Sequence, residues 1–323
     1  MRHLLKCSAL AAAALATPAL AQQTPPQSQE STIVVEGMRL DQRQIGVFID
    51  ALTDVAVGGQ ISRFDRLACP VALGLPAEQN SAIAARLRAV AEAAGIRAGE
   101  EGCRPNLIVI VTRSKPDFIT QLNRRYPVFF TNMSNGQVQE LAQSPGPVAA
   151  WHVRGLIGPD GQEVPVALPD INSSTITFVD AEDHVRLGAD GNLLGAEYSV
   201  VDTTYSPGRL RPATRPHFAA AMLVVEVGAL SGLTTTQFAD YAAMRTFADT
   251  DPTRVARTGV PTILKAIDAP LNTAVPLTLT HWDLSFLRAL YAIPQNHFAN
   301  IQRSNMRQLI TEELFALSEQ PGE

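Results

Sequence analysis

Two apolar runs enclose a segment with helical periodicity in the first half of the chain. Residues 107–111 are apolar at every position, as is typical of a strand covered on both faces, and residues 69–75 form a second apolar run. Between them, residues 77–94 carry apolar side chains at helical spacing, with a proline before the segment and a glycine after it. The pattern predicts a strand–helix–strand unit with both strands in one sheet.

Capping residues and hydrophobic spacing predict the other elements. Thr234 begins a Thr-Thr-Thr-Gln capping box, and Thr280 with Asp283 forms the cap of a second helix. Further helices are predicted over residues 41–56, 116–125, 136–142, 263–267 and 302–317. Strands are predicted over residues 32–39, 151–155, 164–168, 174–179 and 197–201.

The apolar run over residues 217–232 contains a single carboxylate, Glu226. Alanines near its start favour a helix, whereas valines near its end favour a strand. A helix over residues 218–230 has Gly232 in position to end it, and a strand over residues 222–227 is the competing interpretation. We predict the buried helix, with Glu226 neutralised by an arginine such as Arg209 or Arg211.

These elements predict one α+β domain over residues 32–317. It combines a mixed sheet, an N-terminal strand–helix–strand unit and a helical C-terminal part. Residues 318–323 are expected to fray into a disordered tail.

The first residues have the pattern of a Sec signal peptide. A basic start, a short apolar run and small residues at Ala19 and Ala21 predict that residues 1–21 are removed. Residues 22–31, with two prolines and four glutamines, are expected to form a flexible leader. We therefore expect the protein in the periplasm or outside the cell, with no membrane span in the mature chain.

The charge balance argues against polyanionic partners. Removal of residues 1–21 takes away Arg2 and Lys6 but no acid, so the 26 Lys and Arg fall to 24 against 31 Asp and Glu, a net charge of −7. Neither nucleic acid nor an anionic lipid surface is an expected partner.

Two cysteines remain after removal of residues 1–21, Cys69 and Cys103. Each stands at the entrance of one of the two apolar runs, and strand starts in a strand–helix–strand unit lie at the same sheet edge. We predict a disulfide between them. The alternatives, a reactive thiol pair or half of a metal site, lack Cys-x-x-Cys spacing or clustered histidines.

Two motifs resemble metzincin-like peptidases and the secreted bacterial zincin-like proteins related to them. Against the pattern His-Glu-x-x-His-x-x-Gly, residues 225–232 keep Glu226 and Gly232. The segment Leu279-Thr-x-x-Asp283, running into Leu290-Tyr291, is similar to the Leu-Ser/Thr-x-x-Asp…Leu-Tyr helix that follows the active site in those families. The resemblance implies a zincin-like fold.

The zinc ligands of that motif are missing. Val225 and Ala229 occupy the two histidine positions, and Thr235 occupies the position of the third ligand. A zincin needs two imidazoles one helical turn apart, with the glutamate activating the metal-bound water. No such pairing occurs among His152, His184, His217, His281 and His297. We therefore expect no metal, no cofactor and no peptidase activity.

Two functions remain open. The leading expectation is an exported, non-catalytic zincin-like protein that binds a protein or envelope partner. The alternative is a periplasmic hydrolase with an unrecognised site near Glu226, which is the candidate catalytic residue. A convergent polar cluster around Glu226 in a cleft would favour the hydrolase.

Overall fold

A computed structural model describes residues 42–56, 59–158, 161–164, 166–169, 176–179, 212, 214–270 and 273–318. Its helices are α1 (Gln42–Leu52), α2 (Ala77–Ala93), α3 (Lys115–Arg125), α4 (Asn135–Gln143), α5 (Thr235–Thr246), α6 (Pro252–Val255), α7 (His281–Ala292) and α8 (Ala299–Ser318). Its strands are β1 (Pro70–Leu73), β2 (Leu107–Thr112), β3 (Val148–Ile157), β4 (Glu163–Val164), β5 (Val166–Pro169), β6 (Ile176–Val179) and β7 (Arg215–Glu226). The predicted signal peptide, the leader, residues 319–323 of the tail and the strands at 32–39 and 197–201 lie outside the described residues, and Ser318 is the last residue of α8.

The main sheet has the strand order β1-β2-β7-β3-β4. Strands β1, β2 and β7 are parallel, whereas β3 runs antiparallel to both β7 and β4. Strands β5 and β6 form a separate antiparallel pair. The predicted strand–helix–strand unit is present as β1, α2 and β2, and the mixed α+β class is confirmed.

The predicted helix over residues 218–230 is wrong, because β7 extends through this segment as far as Glu226. Leu223 and Val225 pack into a larger core with α2 and α5, whereas Met222 and Val224 pack into a smaller core on the other face. A central strand covered on both faces is apolar at successive positions, so the alternation that normally marks a strand disappears. The competing strand interpretation was correct up to Glu226, after which the chain forms a 3-10 turn, Val227–Leu230.

Helices cover the two faces of the main sheet unequally. On one face, α3 and α4 contribute Ile119 and Val138 to the smaller core. The other face is covered by α1, α2, α5, α7 and α8, where Phe48 meets Trp282 edge to face with ring centroids 5.4 Å apart. In the part of the chain that the structure describes, no helix has the length and apolar character to cross a membrane.

A buried carboxylate joins α7 to the turn before it. The predicted capping box at Thr280 is present, and fully buried Asp283 accepts the N–H groups of Thr280 at 3.0 Å and Ile263 at 2.9 Å. The Thr262 hydroxyl donates to the same carboxylate at 2.5 Å. Burial raises the pKa of Asp283, although these hydrogen bonds favour its ionised form. The Thr-x-x-Asp motif therefore has a structural role in this chain.

The predicted pairing of Cys69 with Cys103 is found in the structure, with Cα atoms 5.9 Å apart. Both residues precede parallel strands whose first residues, Pro70 and Leu107, are paired. Gly99 lies against the bridge, and a Cβ atom there would be 2.6 Å from the Cys103 sulfur. A disulfide is consistent with an exported protein, because such bonds persist in oxidising compartments.

Candidate functional site

Three parallel strands end at one edge of the main sheet, which we call the carboxyl edge. Strand β1 ends at Leu73, β2 at Thr112 and β7 at Glu226, and Thr112 and Glu226 are paired in register. Strand direction changes at this point, because β7 is parallel to β2 and antiparallel to β3. Open α/β sheets bind ligands in crevices outside the carboxyl ends of their strands. The carboxyl edge therefore has the position at which a ligand site is expected.

Glu226 is the last residue of β7 and is half-buried. Its Oε1 atom accepts the backbone N–H of Lys115 at 2.9 Å, and Lys115 is the first residue of α3. The first N–H groups of a helix have no partner within the helix, and the helix dipole favours negative charge there. Glu226 thus anchors the start of α3. The predicted partners Arg209 and Arg211 lie outside the described residues.

The side chain of Lys115 is buried beneath the loop that connects α4 to β3. Its Nζ atom donates to the carbonyl oxygen of Ser144 at 2.5 Å, the Ser144 hydroxyl at 3.0 Å and the carbonyl oxygen of Gly146 at 2.8 Å. Burial lowers the pKa of Lys115, and the nearby Glu226 carboxylate opposes that effect. Three acceptors match the three N–H bonds of an ammonium, so the contacts fit the protonated form and leave no lone pair for a general base.

The structure places the two histidine positions of the zinc motif outside any α-helix, whereas the third position, Thr235, begins α5. Val225 is a buried strand residue, and Ala229 lies in the following 3-10 turn, so the two are not one helical turn apart on a common face. Within the described ranges, no three His, Cys, Asp or Glu side chains are grouped so that they could hold a metal ion. The helix that follows β7 is α5, whose sequence contains no histidine or cysteine.

A groove of about 270 Å³ adjoins the carboxyl edge, and we call it the carboxyl-edge groove. It lies between the first turns of α2 and α5 and the 3-10 turn after β7. Buried Ile83 and Phe238 lie at its base, Leu230 and exposed Val227 form one wall, and the Thr235 side chain is at its rim. Among the described residues that line it, none is charged. Glu226 is not one of the lining residues, so the candidate catalytic carboxylate and the groove are separate features.

The structure pairs two of the histidines with acids that sequence spacing did not reveal. His217 is buried, and its Nε2 atom donates to Glu163 Oε1 at 2.8 Å. Gly155 makes this pair possible, because a Cβ atom there would lie 2.5 Å from His217 Nε2. Neither His217 Nδ1 nor Glu163 Oε2 has a hydrogen-bond partner among the described residues. The partners are 54 residues apart in the chain, so no local motif could have indicated them.

His152 lies on the face of the main sheet opposite to that of His217. Its ring stacks on Phe218 with centroids 3.9 Å apart, and its Nδ1 atom is 3.7 Å from Asp249 Oδ1. Arg154 contacts the other oxygen of the same carboxylate. Burial alone would raise the pKa of Asp249, but His152, Arg154 and Arg245 together hold it well below its usual range. His184 lies outside the described residues, and His281 begins α7.

Comparisons of the chain with protein-family models, with curated proteins and with solved structures give no match.

Proposed function

We propose that this chain is an exported, non-catalytic protein that binds an apolar, uncharged segment of a protein partner in the carboxyl-edge groove. The observation that carries the proposal is the groove itself, with Ile83 and Phe238 at its base, hydroxyl groups at its rim and no charged side chain among the described residues that line it. Export follows from the sequence pattern of residues 1–21.

The volume and polarity of the groove indicate which kind of group it would bind. At about 270 Å³ it lies just below the range of roughly 300–1,000 Å³ of small-molecule pockets. One or two side chains of an extended peptide would fit such a volume. Val227 on the wall is 49 % exposed, so apolar surface is accessible in the groove. An aliphatic or aromatic anchor with uncharged neighbours would bury this surface without leaving a charge unpaired.

The contacts of the ionisable groups at the carboxyl edge favour a binding function over a catalytic one. Glu226 is engaged by the backbone N–H of Lys115, and the Lys115 ammonium is engaged by three oxygen acceptors. The hydrolase alternative requires a convergent polar cluster around Glu226 in a cleft. The described contacts instead tie Glu226 to the start of α3, and the adjacent groove is lined by uncharged residues.

We also propose zincin-like ancestry, which the order of elements supports and the first of the two motifs does not. The Glu226 and Gly232 half of the resemblance does not lie on a helix in this structure. The order of elements supports the ancestry: a strand–helix–strand unit, an antiparallel strand, a central strand, a helix and then C-terminal helices. In this reading α5 stands where the motif helix would be, and it carries no imidazole or thiol ligand.

Selection of peptides from a random library on the purified mature protein tests the proposal. We expect enriched sequences with an apolar anchor in an uncharged context. A photo-crosslinking amino acid in place of Ser231, at the rim of the groove, should attach to a synthetic copy of such a peptide. The same crosslinker in place of Gln139, exposed on α4 across the sheet, is the matched control and should not attach.

Two results would contradict the proposal. One is enrichment of charged peptides, or of none. The other is a hydrolase screen in which the mature protein turns over a substrate and Glu226→Gln abolishes that turnover, which would favour the alternative function.

A further inference from the structure

Three exposed polar side chains line the carboxyl-edge groove without a hydrogen-bond partner among the described residues. They are Gln79 in the first turn of α2, Ser231 directly after the 3-10 turn, and Thr235 at the start of α5. Thr234 also lines the groove, but its hydroxyl is engaged in the capping box, where it accepts the Gln237 N–H at 3.1 Å. Gln79, Ser231 and Thr235 therefore remain able to bond a molecule in the groove.

Gln79 has the most versatile of these three groups. Its amide has two N–H donors and one carbonyl acceptor, whereas a serine or threonine hydroxyl has a single O–H donor. Each unit of a peptide main chain likewise has one N–H donor and one C=O acceptor. The Gln79 amide can therefore accept from one main-chain group and donate to another. It complements the polarity of a peptide backbone without a charge, as the uncharged lining of the groove requires.

The volume of the groove favours an extended occupant over a helical one. A helix that binds in a groove uses several anchors along one face, at positions i, i+3 or i+4, and i+7. The groove of about 270 Å³ has room for only one or two side chains. An extended segment can place one anchor in such a volume while the chain on either side of it continues over the rim.

The unpaired polar groups favour the same conformation. Backbone groups in the middle of a helix are already bonded within the helix, so a bound helix would cover Gln79 without giving it a main-chain partner. Loss of water without a new hydrogen bond opposes binding. An extended segment has free N–H and C=O groups that can replace the lost water.

We propose that the partner segment binds in an extended conformation and that Gln79 hydrogen-bonds its main chain, while the apolar anchor packs on Ile83 and Phe238. This inference rests on the proposed function and specifies how the same groove selects its partner. The groove then requires an accessible backbone as well as an apolar side chain. Exposed loops and unpaired strands have such a backbone, whereas an intact helix does not.

Ester scanning of the most enriched library peptide, acetylated and amidated at its ends, tests the inference. Each main-chain N–H is replaced in turn by an ester oxygen, and the Kd for the mature protein is measured by isothermal titration. We expect one replacement to weaken binding about three- to tenfold, because one main-chain hydrogen bond is lost. The same replacement should cause no further loss in Gln79→Met, whose side chain is of similar length but has no amide. Gln139→Met, exposed on α4, is the matched control and should keep the full ester effect.

The failure of this inference is distinguishable from the failure of the proposed function. If the peptide binds and no ester replacement changes its affinity, the inference alone is overturned. An ester effect of equal size in the unchanged protein and in Gln79→Met would also overturn it, because another group would then bind the main chain. If no uncharged apolar peptide binds, the proposed function fails and this inference fails with it. Thermal unfolding verifies that each variant is folded before its affinity is compared.

Discussion

The carboxylate of Glu226 accepts the first backbone N–H of α3, from Lys115, across 2.9 Å. This contact connects the end of the central strand to the start of a helix on the smaller core. Removal of the carboxylate leaves a helix N-terminus without its anion and a backbone donor without its partner.

We expect Glu226→Ala to lower the free energy of unfolding by about 1–2 kcal/mol. Glu226→Gln should cost less, because the amide oxygen can still accept the Lys115 N–H. Urea denaturation followed by circular dichroism measures both changes. Glu140→Ala, an exposed acid on α4, is the control and should change stability by less than about 0.5 kcal/mol. If Glu226→Ala and Glu140→Ala lowered the free energy of unfolding equally, Glu226 would not anchor the start of α3.

Gly155→Ala should destabilise the protein by about 1–3 kcal/mol, because the added methyl group overlaps the buried His217 ring. Gly136→Ala is the matched control, since the nearest atom to its added Cβ is 3.9 Å away and the position is helical. Thermal unfolding should show a lower midpoint for Gly155→Ala and an equal or higher one for Gly136→Ala. If Gly155→Ala left the unfolding midpoint unchanged, the pair of His217 and Glu163 would be less closely packed than described.

Replacement of Cys69 and Cys103 by alanine should lower stability by about 3–4 kcal/mol, because the bridge closes a loop across a sequence separation of 34. Peptide mapping under non-reducing conditions should recover the two cysteines in one linked fragment from exported protein. Two free thiols in that sample would refute the pairing.

Asp249→Asn should cost about 1 kcal/mol at pH 7, and the cost should decline below about pH 4. A carboxylate whose folded pKa lies below its unfolded value stabilises the fold above the unfolded pKa, and that stabilisation is lost as the pH falls towards the folded value. Urea denaturation of both proteins between neutral and acidic pH measures the difference. Glu101→Gln, at an exposed position, should show no such trend. A cost for Asp249→Asn that grows on acidification would contradict the assigned direction.

Local sequence signals correctly predicted the elements whose ends are marked by nearby residues, such as a cap or the limit of an apolar run. The apolar run at residues 107–111, the periodic face of α2 and the caps at Thr234 and Thr280 all predicted elements that the structure contains. The cysteine pairing was also predictable, because it follows from the parallel placement of two strand starts. In each case a few neighbouring residues determine the outcome.

The errors arose where burial on both faces or distant contacts decide the structure. Strand β7 is apolar on both faces and rich in alanine near its middle, so alternation was absent and propensity was divided between helix and strand. The partners of Glu226 and His217 lie 111 and 54 residues away, and the carboxyl-edge groove combines residues from several elements. Such groupings depend on the strand order of the main sheet, which no local pattern specifies.

The most direct test of the proposed function is the affinity of a selected apolar peptide for the Val227→Glu variant, measured by isothermal titration. Val227 is half-exposed on the wall of the carboxyl-edge groove, so the new charge should leave the fold intact while facing the bound segment. We predict a loss of at least about tenfold relative to the unchanged protein, because the bound peptide would desolvate an unpaired carboxylate. Gln139→Glu adds the same charge on α4 and should keep full affinity. Equal affinity of Val227→Glu and Gln139→Glu would show that the peptide binds elsewhere and would contradict the account.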